Sequence, residues 1–141
     1  MINLEYYNET PATVSDLIFE ELLDVINQKL PQKKSYLITL TLVNKKLIQK
    51  INKKFRNVDA PTDVVSLSYL NSDYPGQNIL GEIFICTDIA EKQAKEQGHD
   101  LLTELKFLFI HGVLHCLGYE HSNEKDFELM MSLTNKILKS V

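Results

Sequence analysis

The sequence predicts an α+β domain: a mixed sheet of about four strands with about five helices packed on it. Three observations carry that expectation. Short β-branched stretches such as Tyr36–Val43 alternate at period two, and longer stretches between them repeat at helical period. The stretch from about Leu101 to Leu117 is apolar nearly all round, the pattern of a helix buried at the centre of a core. The chain of 141 residues, read as one domain over 1–141, is long enough to bury about two-thirds of its unfolded surface.

Residues 1–7 read as a short strand. Thr13 or Ser15 can cap a helix running to about Leu30, with Leu17, Ile18, Leu22, Val25 and Ile26 on one face and Pro31 just past its end. After the Tyr36–Val43 strand, Asn44 caps a helix to about Phe55. Its apolar stripe is Leu47, Ile48, Ile51 and Phe55, which turns Lys46, Lys50 and Lys53 outward. Val64–Leu70 and Ile79–Cys86 read as strands flanking the turn-rich Asn71–Asn78. Thr87 or Asp88 opens a helix that Gly98 stops; the apolar helix follows, and a last amphipathic helix spans about Asn123 to Lys139.

Composition narrows the classes of function. Hydrophobic content of 44% and charged content of 24% are ordinary for a globular protein. Met1 to Thr10 carries Glu5 and Glu9 and no apolar run, unlike a signal peptide, and no stretch approaches the ~18 apolar residues of a membrane span. Cys86 and Cys116 lack paired spacing, which suits a reducing cytoplasm. The net charge of −4 conceals an asymmetry: residues 29–56 hold nine of the fifteen basic residues and no acid, so the remainder, with six basic and nineteen acidic residues, carries −13. Such a block is an electrostatic footprint for a polyanion, and equally suits a solvated helix face. Its aromatics are only Tyr36 and Phe55, so phosphate contact rather than base stacking is what it offers.

Chemistry concentrates in HGVLHCLGYEH, residues 111–121. His111 and His115, four apart, share one helix face about 6 Å from each other. Gly118 can take the left-handed conformation that ends a helix, letting the chain return His121 towards that face. Three imidazoles make a transition-metal site, most simply Zn²⁺, with Ni²⁺, Cu²⁺ or Fe²⁺ also suited, and leave a fourth position for water. Cys116, about 100° round the helix, is a poor fourth ligand. His99, beside Gly98, reads as a helix-end residue.

A second polar cluster, from Asn52 to Ser66, falls at a helix-to-strand junction. Arg56 is well placed to meet a phosphate with its bidentate fork, whereas Asp59, Thr62 and Asp63 suit local backbone bonds.

HGVLHCLGYEH, the segment RNVDAPTDVVS and the intervening LGEIFIC strand occur in an order that resembles the YbeY family of bacterial rRNA-maturation endoribonucleases. The likeness runs from Leu47 into the last helix, including Met130 or Met131 and Ile137-Leu138. Departures are mild: Val65 and Leu67 stand for Leu and Phe, Cys116 for Leu, and Glu82 and Glu120 for Asp. The resemblance implies a metal held by His111, His115 and His121, single-stranded rRNA and the ribosome as partners, maturation of the 16S rRNA 3′ end with ribosome quality control, and importance of Arg56 for activity. His115 and Arg56 are the expected catalytic residues; Lys46, Lys50, Lys53 and Arg56 are expected to hold RNA. Glu82 and Glu120 are candidates to orient an imidazole.

Two other readings remain. The spacing H-x₃-H-x₂-G-x₂-H is also that of the metzincin peptidases, which place a Glu general base directly after the first His; here that position is Gly112. Alternatively the metal is structural and the protein an RNA- or ribosome-binding processing factor.

Overall fold

Alternating apolar and polar residues in four short stretches produce a four-stranded sheet, and the helical stretches between them cover it. The computed structural model describes residues 1–70, 78–120 and 122–141. Among these, the order is β1 (Ile2–Asn8), α1 (Leu17–Lys29), β2 (Tyr36–Val43), α2 (Lys45–Arg56), β3 (Val64–Ser68), β4 (Ile79–Cys86), α3 (Thr87–Gln97), α4 (Leu101–Cys116) and α5 (Glu124–Lys139). The expected turn over Asn71–Asn78 lies, but for Asn78, outside the described residues.

Spatially the strands run β1-β2-β4-β3. β1 and β2 are parallel, as are β2 and β4, while β3 pairs antiparallel with β4, Val64 opposite Ile85 and Ser68 opposite Gly81. The sheet is therefore mixed, as expected, with β3 at an edge. Period-two alternation gives it two different faces. Ile38, Leu40, Leu42, Ile83 and Ile85 pack with Phe19, Leu22 and Ile26 of α1, Phe109 and Val113 of α4, and Met130 and Ile137 of α5 in the main core. On the other face Val65 and Cys86 meet Ile48 of α2, with Leu47, Ile51, Leu67 and Phe84 around them.

Local chemistry explains the helix ends. Asn44, Asp100 and Asn123 each cap a helix, their side chains accepting from the backbone amides of Leu47, Thr103 and Asp126. α1 begins at Leu17, and its N-cap is Asp16 rather than Thr13 or Ser15. Asp16 makes no side-chain cap bond, although Ser15 Oγ accepts from the Leu17 amide at 3.2 Å. Leu17 is consequently 66% exposed rather than on the buried face, which is Phe19, Leu22, Leu23 and Ile26. Phe55 also departs from its expected stripe. It is 49% exposed at the end of α2, and the Lys54 ammonium sits 5.2 Å above its ring.

α4 packs on β3, β4, α1, α3 and α5, and its buried residues include Leu105, Leu108, Phe109, Ile110, Val113, Leu114 and Cys116, so the expectation of a central helix holds. His99 bonds the buried Glu104 through Nε2 at 3.2 Å, which anchors the start of this helix and agrees with a helix-end role. Gly118, at φ +99°, turns the chain out of α4 in a conformation that L side chains avoid. Among the described residues, no helix is long and apolar enough to cross a membrane.

Candidate active site

On a helix buried nearly all round, the partly exposed positions His111 and His115 stand out. They lie one turn apart with ring centroids 6.5 Å from each other and planes at 68°. Phe107, one turn earlier, stacks on His111 at 4.3 Å and 32°. Thr134 of α5 brings Oγ1 to 3.3 Å from His111 Nδ1, and donates its own proton to the Met130 carbonyl at 2.8 Å.

Two imidazoles sharing a tetrahedral ion at a Zn–N distance of about 2.1 Å have centroids about 5 Å apart. The observed pair, at 6.5 Å, is wider by about 1.5 Å. The donor set fits a transition metal: two imidazoles on one face of a rigid helix, one of them already bonded at its far nitrogen. His121, the expected third ligand, lies outside the described residues. Among the described residues no three His, Cys, Asp or Glu side chains gather around one point.

His115 opens into a cavity of about 540 Å³ at the edge of the sheet. Arg56 lines it from the end of α2, Ser66 and Ser68 from β3, Tyr69 just beyond, and Tyr119 and Glu120 from the chain leaving α4. Each is brought there by a local rule. Arg56 is the last residue of α2, and Asn57 closes that helix in the left-handed conformation at φ 58°. Ser66 and Ser68 alternate with Val65 and Leu67, so when the apolar pair packs towards α2 the hydroxyls face α4. Ser68 Oγ donates to the Cys116 carbonyl at 2.8 Å, which ties the edge strand to the end of the histidine helix. The cavity thus takes residues from both faces of the sheet around the edge strand.

The polar groups are specific in their pairing. The Tyr69 hydroxyl donates to Glu82 Oε2 at 2.6 Å; burial and then that bond push its pKa up to about 12, so it stays protonated and a donor. Among the described residues Glu82 therefore orients a tyrosine rather than the expected imidazole. The register explains why: Gly81 lies against Cys116 of α4, so the next residue of β4 points to the opposite face. Glu120, the other such candidate, shares the cavity with His115 and Arg56. Cys116 lies buried with Sγ 3.7 Å from the Leu67 carbonyl, and desolvation raises its pKa to about 12; it faces β3 as a neutral thiol, in keeping with the reading of it as a poor ligand.

Of the remaining expected residues, Lys46, Lys50 and Lys53 are exposed along α2, outside the cavity and leading towards its Arg56 end. Lys53 lies 3.8 Å from Asp59, both well exposed, a pair worth little. Asp63 Oδ1 accepts from the Val64 amide at 2.8 Å and from Thr62 Oγ1 at 3.3 Å, so these two residues bond locally. Sequence reasoning named Ser66 only as the end of the polar cluster and overlooked Tyr69, Ser68 and Thr134. For the serines a signal existed: hydroxyls at alternate positions of a strand otherwise apolar.

Gly112 fills the metzincin base position with no room for a base. A Cβ there would sit 2.9 to 3.1 Å from three atoms of buried Ile83 on β4.

Comparison with known proteins identifies the family. The family model described as Endoribonuclease YbeY matches residues 3–141. Relatives carrying that name include one from Staphylococcus carnosus, 45% identical over 107 residues (72% of this chain and 69% of the relative), and one from Ureaplasma urealyticum, 37% identical over 138 residues (95% and 88%). The fold is similar to the solution structure of a Thermotoga maritima protein at a TM-score of 0.65 and 24% identity, covering 98% of this chain and 91% of that one. On the match of nearly the whole chain to the family model, this protein belongs to the endoribonuclease YbeY family.

Proposed function

We propose that this protein is a metal-dependent endoribonuclease that cuts single-stranded RNA, acting on rRNA in the cytoplasm in maturation of the 16S 3′ end and in ribosome quality control. The observation that carries the reading is that His115 and Arg56, from distant parts of the chain, line one cavity. His111, His115 and His121 would hold the ion, Zn²⁺ or another imidazole-preferring metal such as Ni²⁺. When bound, it supplies an acidified water and polarises a phosphoryl oxygen.

The chain's own residues supply the remainder. The Arg56 guanidinium, permanently charged and planar, matches a phosphate bidentately and stabilises charge developing on the reacting phosphoryl group. The Tyr69 hydroxyl, held by Glu82, and the Ser66 hydroxyl offer further bonds to sugar or phosphate oxygens in the same cavity. Lys46, Lys50 and Lys53 form a cationic approach along α2, which at 12 residues is about 18 Å long. A second cleft of about 450 Å³ shares Gly118 and Tyr119 with the first and carries Lys29 on its rim. Lys29 on one side and Arg56 with the α2 lysines on the other suit a strand passing through the cavity rather than ending in it.

Gly112 supports a phosphodiester over a peptide substrate, since the carboxylate that a metzincin needs has no space beside Ile83. Exposure of His115 to a large cavity favours a catalytic over a structural metal. His115→Ala tests the proposal: cleavage of a single-stranded RNA should vanish while the unfolding midpoint and RNA affinity persist. Loss of the fold with the metal would support the structural-metal alternative instead.

A further inference from the structure

We infer that Thr134 is a positioning residue that fixes His111 as its Nδ1-protonated tautomer and so presents Nε2 as the metal-binding nitrogen. The metal consequence rests on the function proposed above; the tautomer does not.

Counting protons decides the tautomer. A threonine hydroxyl has a single proton and two lone pairs. Thr134 Oγ1 lies 2.8 Å from the carbonyl of Met130, one turn back in α5. A carbonyl only accepts, so the hydroxyl proton is committed there, the usual back-bond of a threonine inside a helix. Towards His111 the oxygen then offers lone pairs alone. Nδ1 stands 3.3 Å away, and that approach is attractive only if Nδ1 carries hydrogen and donates. With the other tautomer two lone pairs would oppose each other beside a Thr134 that is 0% exposed, where no solvent can intervene. A neutral imidazole in water prefers its proton on Nε2, so Thr134 reverses the default.

Two features hold the arrangement still. Thr134 is β-branched and stiff at χ1 inside α5. Phe107 stacks on the His111 ring at 4.3 Å, fixing the plane in which the ring presents its nitrogens. A hydrogen bond at the far nitrogen of a metal-ligating histidine sets which nitrogen binds and raises its basicity; here a hydroxyl from α5 plays that part for the helix that bears the ligand.

The test reads the ring directly. In ¹⁵N spectra of the full chain stripped of metal, at a pH where His111 is neutral, Nδ1 should resonate as the protonated and Nε2 as the unprotonated nitrogen. Thr134→Val, nearly isosteric but without the hydroxyl, should shift the population towards Nε2–H and weaken Zn²⁺ binding about 10- to 100-fold in competition with a chromophoric chelator. Thr134→Ser, which keeps the oxygen, should restore the ring shifts and bring affinity back to within about threefold. Nε2–H in the wild type, or a valine variant with unaltered ring shifts and zinc affinity, would overturn the assignment. A wild type that binds no Zn²⁺ would overturn the metal reading, while its ring shifts would still decide the role of Thr134.

Discussion

Gly112 of α4 lies against Ile83 of β4 so closely that a Cβ would stand 2.9 Å from Ile83 Cδ1. At this position the helix that carries His111 and His115 approaches the sheet with no side chain between them. Gly112→Ala should therefore lower stability by about 1–3 kcal/mol, the usual cost of overpacking a close-packed core, despite alanine's better helix propensity. Chemical denaturation measures it. Gly112→Glu should destabilise further and confer no turnover of casein when metal is supplied.

Arg56 sits in the cavity with His115. Arg56→Ala should reduce the rate of RNA cleavage by about 10² to 10³-fold, the range for removal of one electrostatic donor to a transition state, with little change in unfolding midpoint because the residue is exposed. Arg56→Lys should recover only part of the rate, since a lysine lacks the planar fork. Single-turnover kinetics on a defined oligonucleotide gives both numbers.

The lysines of α2 should behave differently. Changing Lys46, Lys50 or Lys53 to Ala should weaken single-stranded RNA binding across sequences and reduce the salt dependence of the affinity by about 0.7 for each phosphate left unneutralised. Cleavage rate at saturating RNA should stay near that of the wild type. Titrations at several salt concentrations provide the slope.

Burial raises the thiols of both Cys86 and Cys116 above their ordinary range, Cys116 to about 12. Native protein should accordingly show no reactive thiol towards Ellman's reagent at pH 8, and denatured protein two. The Tyr69 hydroxyl, likewise pushed up to about 12, makes stability depend on pH at the alkaline end. The fold favours the protonated phenol, so this contribution is fully present below about pH 10, the ordinary tyrosine value, and is lost as pH rises through about 12. Tyr69→Phe should flatten the alkaline limb of the stability profile in proportion.

Why so much of this molecule was legible follows from which forces are local. The cap Asn44, the period-two alternation of Tyr36–Val43 and the all-round apolarity of α4 are written in neighbouring residues, and each element formed where those signals lie. The misplaced residues, Leu17 and Phe55, sit at helix ends, where period alone does not say whether the helix still touches its sheet. Register is not local either. Glu82 belonged to the right strand, but only the packing of Gly81 on Cys116 showed that it faces Tyr69 instead of α4. Thr134 gave no signal at all, because its tie to His111 spans 23 residues and joins two helices through a single hydroxyl.

If imidazoles of this chain hold one ion on which RNA cleavage depends, metal and activity must leave and return together. Cleavage of a defined single-stranded RNA by protein stripped with a chelator, repeated as Zn²⁺ is added back, reads that coupling. Activity should disappear on stripping and return in full at one equivalent of metal per chain, with His115→Ala silent throughout. Undiminished cleavage by fully stripped protein would refute the proposed dependence.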